Sequence, residues 1–223
     1  MTVKRYRRRN SAVTVTRKGR IIGNIGVGRN NVPTAASEQQ PAAETSGEEK
    51  QVEQRCERIV LLWRLLPHDD FANDWALYGA WVKDEPREVQ GKTFDYLVNP
   101  QTYNDNTAIQ ANYALCLMLD KLGTEENIRN SYEQGSISGL LNAVSASTNP
   151  TMRNLAVSKS LASPELLAEV AKNEKDRTVL INIAKNMNTS YTTLKMLLKK
   201  YRFLRVHIVY NPSYIQGEQR RKN

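Results

Sequence analysis

The sequence predicts a mainly α-helical fold: a short, α-solenoid-like helical domain after an extended N-terminal basic β-arm and a disordered acidic linker. Three observations support this prediction. Charge is segregated along the chain, apolar residues recur at helical spacing, and the last third repeats with a period of about 25 residues. The predicted segments are a basic arm (1–33), a linker (34–53), a helical domain (54–148), helical repeats (149–215) and a basic tail (216–223).

The arm contains nine basic residues and no acidic residue, and its charge equals the net charge of +9 of the whole chain. Valines and isoleucines flank a turn at Lys18-Gly19, which predicts a hairpin. An isolated hairpin is marginal in water, so we expect the arm to order against a partner. The bases that would bind an anionic partner are Lys4, Arg5, Arg7, Arg8, Arg9, Arg17, Lys18, Arg20 and Arg29.

Residues 34–53 contain five glutamates, one lysine and almost no large apolar side chain. This composition predicts a flexible linker. Beyond the linker, apolar stripes at helical spacing predict two helices. Pro67 ends the first helix, and Pro86 lies beyond the second. The first stripe comprises Cys56, Ile59, Val60, Trp63 and Leu66, and the second comprises Trp75, Tyr78 and Val82.

Residues 107–122 are apolar around most of the helix circumference, which predicts a central buried helix closed by Gly123. Residues 84–106 show too little pattern for a prediction. The two cysteines, Cys56 and Cys116, lie in apolar helical patterns, so we interpret both as core residues.

From Asn149 onward, three similar segments begin at Leu155, Ile181 and Val206, which lie 26 and 25 residues apart. Each segment predicts a short helix, a turn at Asn or Ser, and a second short helix that begins at a capping residue. The expected caps are Asn149, Ser163, Asp176 and Thr189.

This pattern resembles the variant leucine-rich repeat over about residues 149–214. Asn211-Pro212 and residues 163–167 carry the resemblance best, whereas Asn186-Met187 departs from the Asn-Pro of the family pattern. The resemblance implies a stacked-helix, HEAT-like architecture that exposes a surface for partners, and it implies no particular activity. An irregular helical bundle with coincidental periodicity is the alternative.

The sequence gives little indication of chemistry. His68 directly follows Pro67, so we interpret it as part of a polar turn, with Asp69, Asp70 and Asp74 as solvated loop acids. The glycines between residues 23 and 28 match no phosphate-binding or dinucleotide-binding spacing. We therefore expect no catalytic residue, metal or cofactor, and no membrane-spanning segment.

A second group of bases lies near the C-terminus, interspersed with tyrosines. Such a pattern suits non-specific binding to the phosphate backbone of DNA or RNA, with some base stacking. Core packing of the tyrosines and helix-dipole pairing of the lysines are the simpler interpretation. The candidate residues are Lys195, Lys199, Lys200, Arg202 and Arg205.

The succession of arm, linker and helical domain looks similar to the structural subunits of virions and nucleoproteins, including those of bacteriophages. The resemblance implies a non-enzymatic assembly protein, located in the cytoplasm or in a virion. Its helical body would dock on protein subunits of a larger assembly, and its arm would bind nucleic acid or an acidic neighbouring subunit. A soluble nucleic-acid-binding accessory or regulatory protein is the alternative function.

Overall fold

The computed structural model describes residues 45–99 and 106–222, and over these residues the chain is mainly helical, as predicted. The predicted β-arm and residues 34–44 of the predicted linker lie outside the described residues. The described part contains twelve α-helices and no strand. These are α1 Thr45–Arg64, α2 Phe71–Val82, α3 Arg87–Val98, α4 Asn106–Thr124, α5 Glu126–Asn130, α6 Gln134–Ser145, α7 Pro150–Ser158, α8 Pro164–Asn173, α9 Arg177–Lys185, α10 Tyr191–Lys200, α11 Arg205–Ile208 and α12 Pro212–Lys222, with a 3₁₀ turn at Arg202–Leu204 before α11.

Aromatic side chains fill the core between α1, α2 and α3. Trp63 and Trp75 pack with their ring centroids 4.6 Å apart, and Phe94 lies 5.8 Å from Trp75. The indole N–H of Trp75 donates to the carbonyl of Ala111 at 2.8 Å, which attaches α4 to this core. Burial of these large rings accounts for much of the stability of this half of the domain.

Helices α2 and α6 cross closely because both carry a glycine at the contact. A Cβ atom on Gly79 would lie 2.1 Å from the carbonyl oxygen of Ser136. A Cβ atom on Gly139 would lie 2.1 Å from the carbonyl oxygen of Gly79. Neither position therefore has room for a side chain.

The predicted linker is too long. Helix α1 begins at Thr45, so residues 45–53 are helical and not a flexible linker. Val52 and Cys56 pack against the core, and this anchors the helix. Glu, Lys and Gln are good helix formers, so a polar composition does not prevent the helix from extending N-terminally.

Helix α3 lies in the segment that showed too little pattern for a prediction, and it contributes three apolar core residues: Val89, Phe94 and Leu97. Its pattern is hidden because polar residues also occupy buried positions. The amide of Gln90 donates to two backbone carbonyls, each at 2.9 Å, and the hydroxyl of Thr93 donates to the carbonyl of Val89 at 2.7 Å. These hydrogen bonds make the burial of polar side chains tolerable.

Helix α4 is not buried on all sides, contrary to the prediction. One face is buried, and the other exposes apolar residues, with Ile109 60% and Tyr113 67% exposed. The helix also runs one residue past Gly123, to Thr124. The prediction was wrong because an apolar circumference does not show whether neighbouring helices cover both faces. The buried face comprises Ala108, Ala111, Leu115, Met118, Leu119 and Leu122.

From α7 onward we group the helices in chain order as three pairs, α7–α8, α9–α10 and α11–α12. The first helices contact one another in succession, from α7 to α9 to α11, and the second helices do the same from α8 to α10 to α12. The C-terminal residues from 216 continue in α12 as far as Lys222, so the predicted basic tail is the end of a helix.

The predicted caps Asn149, Ser163 and Asp176 each accept a hydrogen bond from a backbone N–H in the first turn of the helix that follows. The prediction for α10 was off by one residue, because Ser190 is its N-cap. Thr189 is instead fully buried and donates its hydroxyl to the carbonyl of Ile183 at 2.6 Å. The two hydroxyl residues are adjacent, and the sequence alone does not distinguish a cap from a buried turn residue.

Candidate nucleic-acid interface

The structure describes five of the fourteen bases that the sequence nominates. The nine arm bases lie outside the described residues, so the site consists here of the C-terminal group. Leu194 and Leu197 are fully buried on one face of α10, which leaves its opposite face to solvent. All five bases of the group are exposed. We call the surface formed by Lys195, Lys199, Lys200, Arg202 and Arg205 the C-terminal basic surface.

The positive charge of this surface is not compensated. Residues 177–222 contain ten lysines and arginines and a single acidic residue, Glu218. The carboxylate of Glu218 accepts a hydrogen bond from the hydroxyl of Tyr191. Among the described side chains, no carboxylate forms an ion pair with any of the five bases. The surface therefore attracts anions.

Two of the five bases border one cleft. Arg202 and Arg205 line a cleft of about 340 Å³, together with Leu198, Val209 and Tyr214. A guanidinium group offers several N–H donors in a plane, which suits a phosphate. Beside the guanidinium groups, the apolar side chains of Leu198 and Val209 provide surface for a sugar or the face of a base.

The tyrosines among the bases have different roles. Tyr201 donates its hydroxyl to the carbonyl of Glu174 at 2.9 Å, and the rings of Tyr191 and Tyr214 pack 5.7 Å apart. These three are structural, as the simpler interpretation expected. Tyr210 is 80% exposed, so its ring is open to stacking with a ligand.

Two of the lysines lie over tyrosine rings. The ammonium group of Lys195 is 5.3 Å from the ring centroid of Tyr191, and that of Lys200 is 5.1 Å from that of Tyr201. Cation–π contacts of this kind orient a lysine without neutralising its charge. Both ammonium groups therefore keep their charge for an anionic ligand.

The structure adds a base that the sequence did not nominate. Arg177, in the first turn of α9, lies over the ring of Phe203 with its guanidinium carbon 4.8 Å from the centroid. This contact joins α9 to the 3₁₀ turn that carries Arg202. No sequence signal identifies it, because the two residues are far apart in the chain.

The histidine that we interpreted as part of a polar turn forms a local structural contact. His68 has a φ of 56° and pairs through Nδ1 with the carboxylate of Asp74 at 2.9 Å. Asp74 is buried in α2, so it is not the solvated loop acid that we expected, whereas Asp70 is the N-cap of α2. The ring of His68 stacks on Phe71 at 5.4 Å. The pair fixes the turn before α2.

Burial raises the pKa of both cysteine thiols, Cys56 and Cys116, which favours the less reactive protonated form. Both are only partly buried, not the full core residues that we expected.

No three His, Cys, Asp or Glu side chains among residues 45–99 and 106–222 are placed to hold a metal ion. Of the helices described, none has the length and apolar character needed to cross a membrane.

No known protein family, curated protein or solved structure matches this chain. Function is therefore inferred from the charge, contacts and exposure of the side chains described above.

Proposed function

We propose that this chain is a non-enzymatic assembly protein that holds nucleic acid by its phosphate backbone while its helical body docks on protein subunits. The observation that carries this proposal is the uncompensated charge of the C-terminal basic surface. Residues 177–222 have ten bases against one acid, and that acid is already hydrogen-bonded. Ordinary helical surfaces mix both signs of charge, so this imbalance favours an anionic ligand.

The three C-terminal helix pairs form an α-solenoid-like stack in this proposal. Successive pairs bury their apolar faces against one another, and the outer side chains form a continuous surface for a ligand. Bases from α10, the 3₁₀ turn and α11 then lie on elements that are fixed to each other. A rigid basic surface without a recognised base-reading motif suits phosphate contacts that do not depend on sequence.

The N-terminal arm provides a second group of bases on the same chain. A polar segment of the chain joins its nine bases to the helical body. Binding of a polyanion at one group of bases therefore raises its effective concentration at the other. The two groups together bind a long polyanion more tightly than either alone. A soluble accessory protein would use the same contacts, but it would remain monomeric on the nucleic acid.

The test compares two triple variants of the full chain by their affinity for duplex DNA at several salt concentrations. Lys199→Gln/Arg202→Gln/Arg205→Gln removes three bases of the surface. Arg58→Gln/Lys121→Gln/Arg129→Gln removes three exposed bases elsewhere, with the same change in net charge. If all three surface bases contact phosphates, the slope of log K against log salt becomes shallower by about 2.7, at about 0.9 per contact.

The control variant is expected to keep the parental slope, because its bases do not contact the ligand. Equal slopes for the two variants would refute the C-terminal basic surface as the interface. A chain of residues 34–223, which lacks the arm, is expected to give a shallower slope of log K against log salt than the full chain. Its helical circular dichroism is expected to stay the same. The mass of the native complex then separates the alternatives, since an assembly subunit forms a multimer and an accessory protein does not.

A further inference from the structure

An open groove of about 800 Å³ runs between α1 and α3. Glu49, Glu53 and Glu57 line one side of it, and Cys56 and Val60 lie among its apolar lining. We call this the α1–α3 groove. It lies outside the C-terminal basic surface, and its charge has the opposite sign.

The three glutamates follow one another at intervals of four residues, so they lie on the same face of α1. At 1.5 Å per residue, the interval from Glu49 to Glu57 spans about 12 Å. Among the described side chains, none of the three forms an ion pair. All three carboxylates are therefore open to a cationic ligand.

Two bases also line the groove, and each contacts a residue of α3. Lys92 pairs with Glu88 at 2.8 Å, and Arg64 donates to the hydroxyl of Tyr96 at 2.6 Å. The groove thus presents a row of three carboxylates without an ion pair to any described side chain, beside an apolar lining and these two bases. A peptide that fits it has bases at regular intervals along one side.

We propose that the α1–α3 groove binds the arginine-rich residues 4–9 of a second copy of this chain. Arg5, Arg7 and Arg9 occupy alternate positions, so in an extended backbone they project to the same side. Their spacing from first to last is about 13 Å at 3.2–3.4 Å per residue, close to the span of the three glutamates. The charges and the spacing therefore match.

Each copy carries one such basic segment and one groove, so the contact joins two copies by reciprocal exchange of their segments or joins successive copies head to tail. Each single ion pair at an exposed site is weak, so binding depends on all three pairs together and decreases with salt. Arg17, Lys18, Arg20 and Arg29 remain available for other ligands. The contact thereby links copies without using the C-terminal basic surface.

The test measures paramagnetic relaxation enhancement between two full-length copies. Both copies carry Cys56→Ser and Cys116→Ser, so that only an introduced cysteine takes the nitroxide. One copy is ¹⁵N-labelled, and the other is unlabelled and bears a nitroxide at Ser11→Cys. Amide signals of residues 49–64 and 92–96 in the ¹⁵N copy are expected to lose intensity, while those of α9 do not. No nucleic acid is present, so the outcome does not depend on the function of the C-terminal basic surface.

The control variants alter the ¹⁵N copy only. Glu49→Gln/Glu53→Gln/Glu57→Gln is expected to restore the lost intensity, and Gln is a good helix former, so α1 remains folded. The matched change Glu125→Gln/Glu133→Gln/Glu165→Gln, at three exposed glutamates elsewhere, is expected to leave the broadening in place.

Three results would overturn the proposal. Absence of broadening in the mixed sample would show that a second copy does not bind there. Broadening that appears only when nitroxide and isotope are on the same copy would assign the groove to the chain's own arm. Broadening that survives loss of the three groove glutamates would show that they do not hold the arm.

Discussion

The side-chain amide of Asn211 donates to the backbone carbonyl of Asn186 at 3.0 Å, and Asn186 itself makes the same kind of contact with the carbonyl of Lys159, also at 3.0 Å. Each amide donates to a second carbonyl as well, near the end of the preceding pair's first helix. In each of the last two helix pairs, an asparagine therefore ties the turn to the pair before it. These contacts satisfy carbonyls that helix ends leave without partners.

Replacement of Asn211, which is only 3% exposed, is expected to loosen the last helix pair. Asn211→Ala leaves two carbonyls without their donor, and a buried unsatisfied polar group costs about 1–3 kcal/mol. Chemical denaturation measures this loss in the free energy of unfolding. Asn130→Ala, at an exposed position, is the control and is expected to change stability by less than about 0.5 kcal/mol. Equal losses for both variants would contradict the role of Asn211.

Glu174 is the centre of a second connection between helix pairs. Its buried carboxylate accepts from Arg153 at 2.8 and 3.1 Å and from the backbone N–H groups of Lys175 and Asp176. Burial tends to raise the pKa of Glu174, but the hydrogen bonds from Arg153 and the backbone prevail, so its pKa is lowered. Removal of Arg153 would leave the buried charge of Glu174 without its cationic partner. Arg153→Ala is therefore expected to cost about 3 kcal/mol at neutral pH.

The same pair predicts an acid-sensitive part of the stability. Since the folded pKa of Glu174 is below its unfolded value of about 4.5, its contribution is present above that pH and is lost as the pH falls through the folded pKa. Thermal melting between pH 7 and pH 2 measures it. Glu174→Gln is expected to weaken the dependence of the melting temperature on acid pH. Glu165→Gln, at an exposed carboxylate, is expected to leave this dependence unchanged. An unchanged pH profile in Glu174→Gln would contradict the lowered pKa.

The helices that the sequence predicted best are those whose apolar residues lie on one side and whose caps are unambiguous. Trp63, Trp75 and Tyr78 are buried as predicted, and Ser163 and Asp176 act as caps. Periodicity failed for α3 because Gln90 and Thr93 are buried with hydrogen-bonded side chains. A hydrophobic pattern treats such residues as surface, although tertiary contacts make them core.

The candidate site was predictable only as a set of charges. Basic composition near the C-terminus identified Lys199, Arg202 and Arg205, but it did not indicate that Arg202 and Arg205 share a cleft. Their convergence depends on how α10, the 3₁₀ turn and α11 pack. The α1–α3 groove was missed for a similar reason, because Glu49 and Glu53 were assigned to a flexible linker and not to a helix that packs near α3.

The buried leucines of α9 and α10 are expected to tolerate no charge. Leu180 is 1% exposed, so Leu180→Asp would bury an unpaired carboxylate at a cost of several kcal/mol, a large share of a typical stability of about 5–15 kcal/mol. Leu197→Asp is expected to act in the same way. The control is Met187→Asp, since Met187 is 69% exposed in the turn between these helices. Circular dichroism melting distinguishes them, and a Leu180→Asp variant that melts like Met187→Asp would contradict the burial of α9.

The crossing of α2 and α6 predicts opposite effects for one substitution at two positions of the same helix. Alanine is the better helix former, so Gly135→Ala is expected to leave stability unchanged or to raise it by up to about 1 kcal/mol, because the nearest atom lies 3.6 Å from its new Cβ. Gly139→Ala would place a Cβ 2.1 Å from the backbone oxygen of Gly79, which cannot rotate away. The helices must then separate, and overpacking of this kind costs about 1–3 kcal/mol or more. Denaturant midpoints measure both changes, and a stabilising Gly139→Ala would show that α2 and α6 lie farther apart than in this structure.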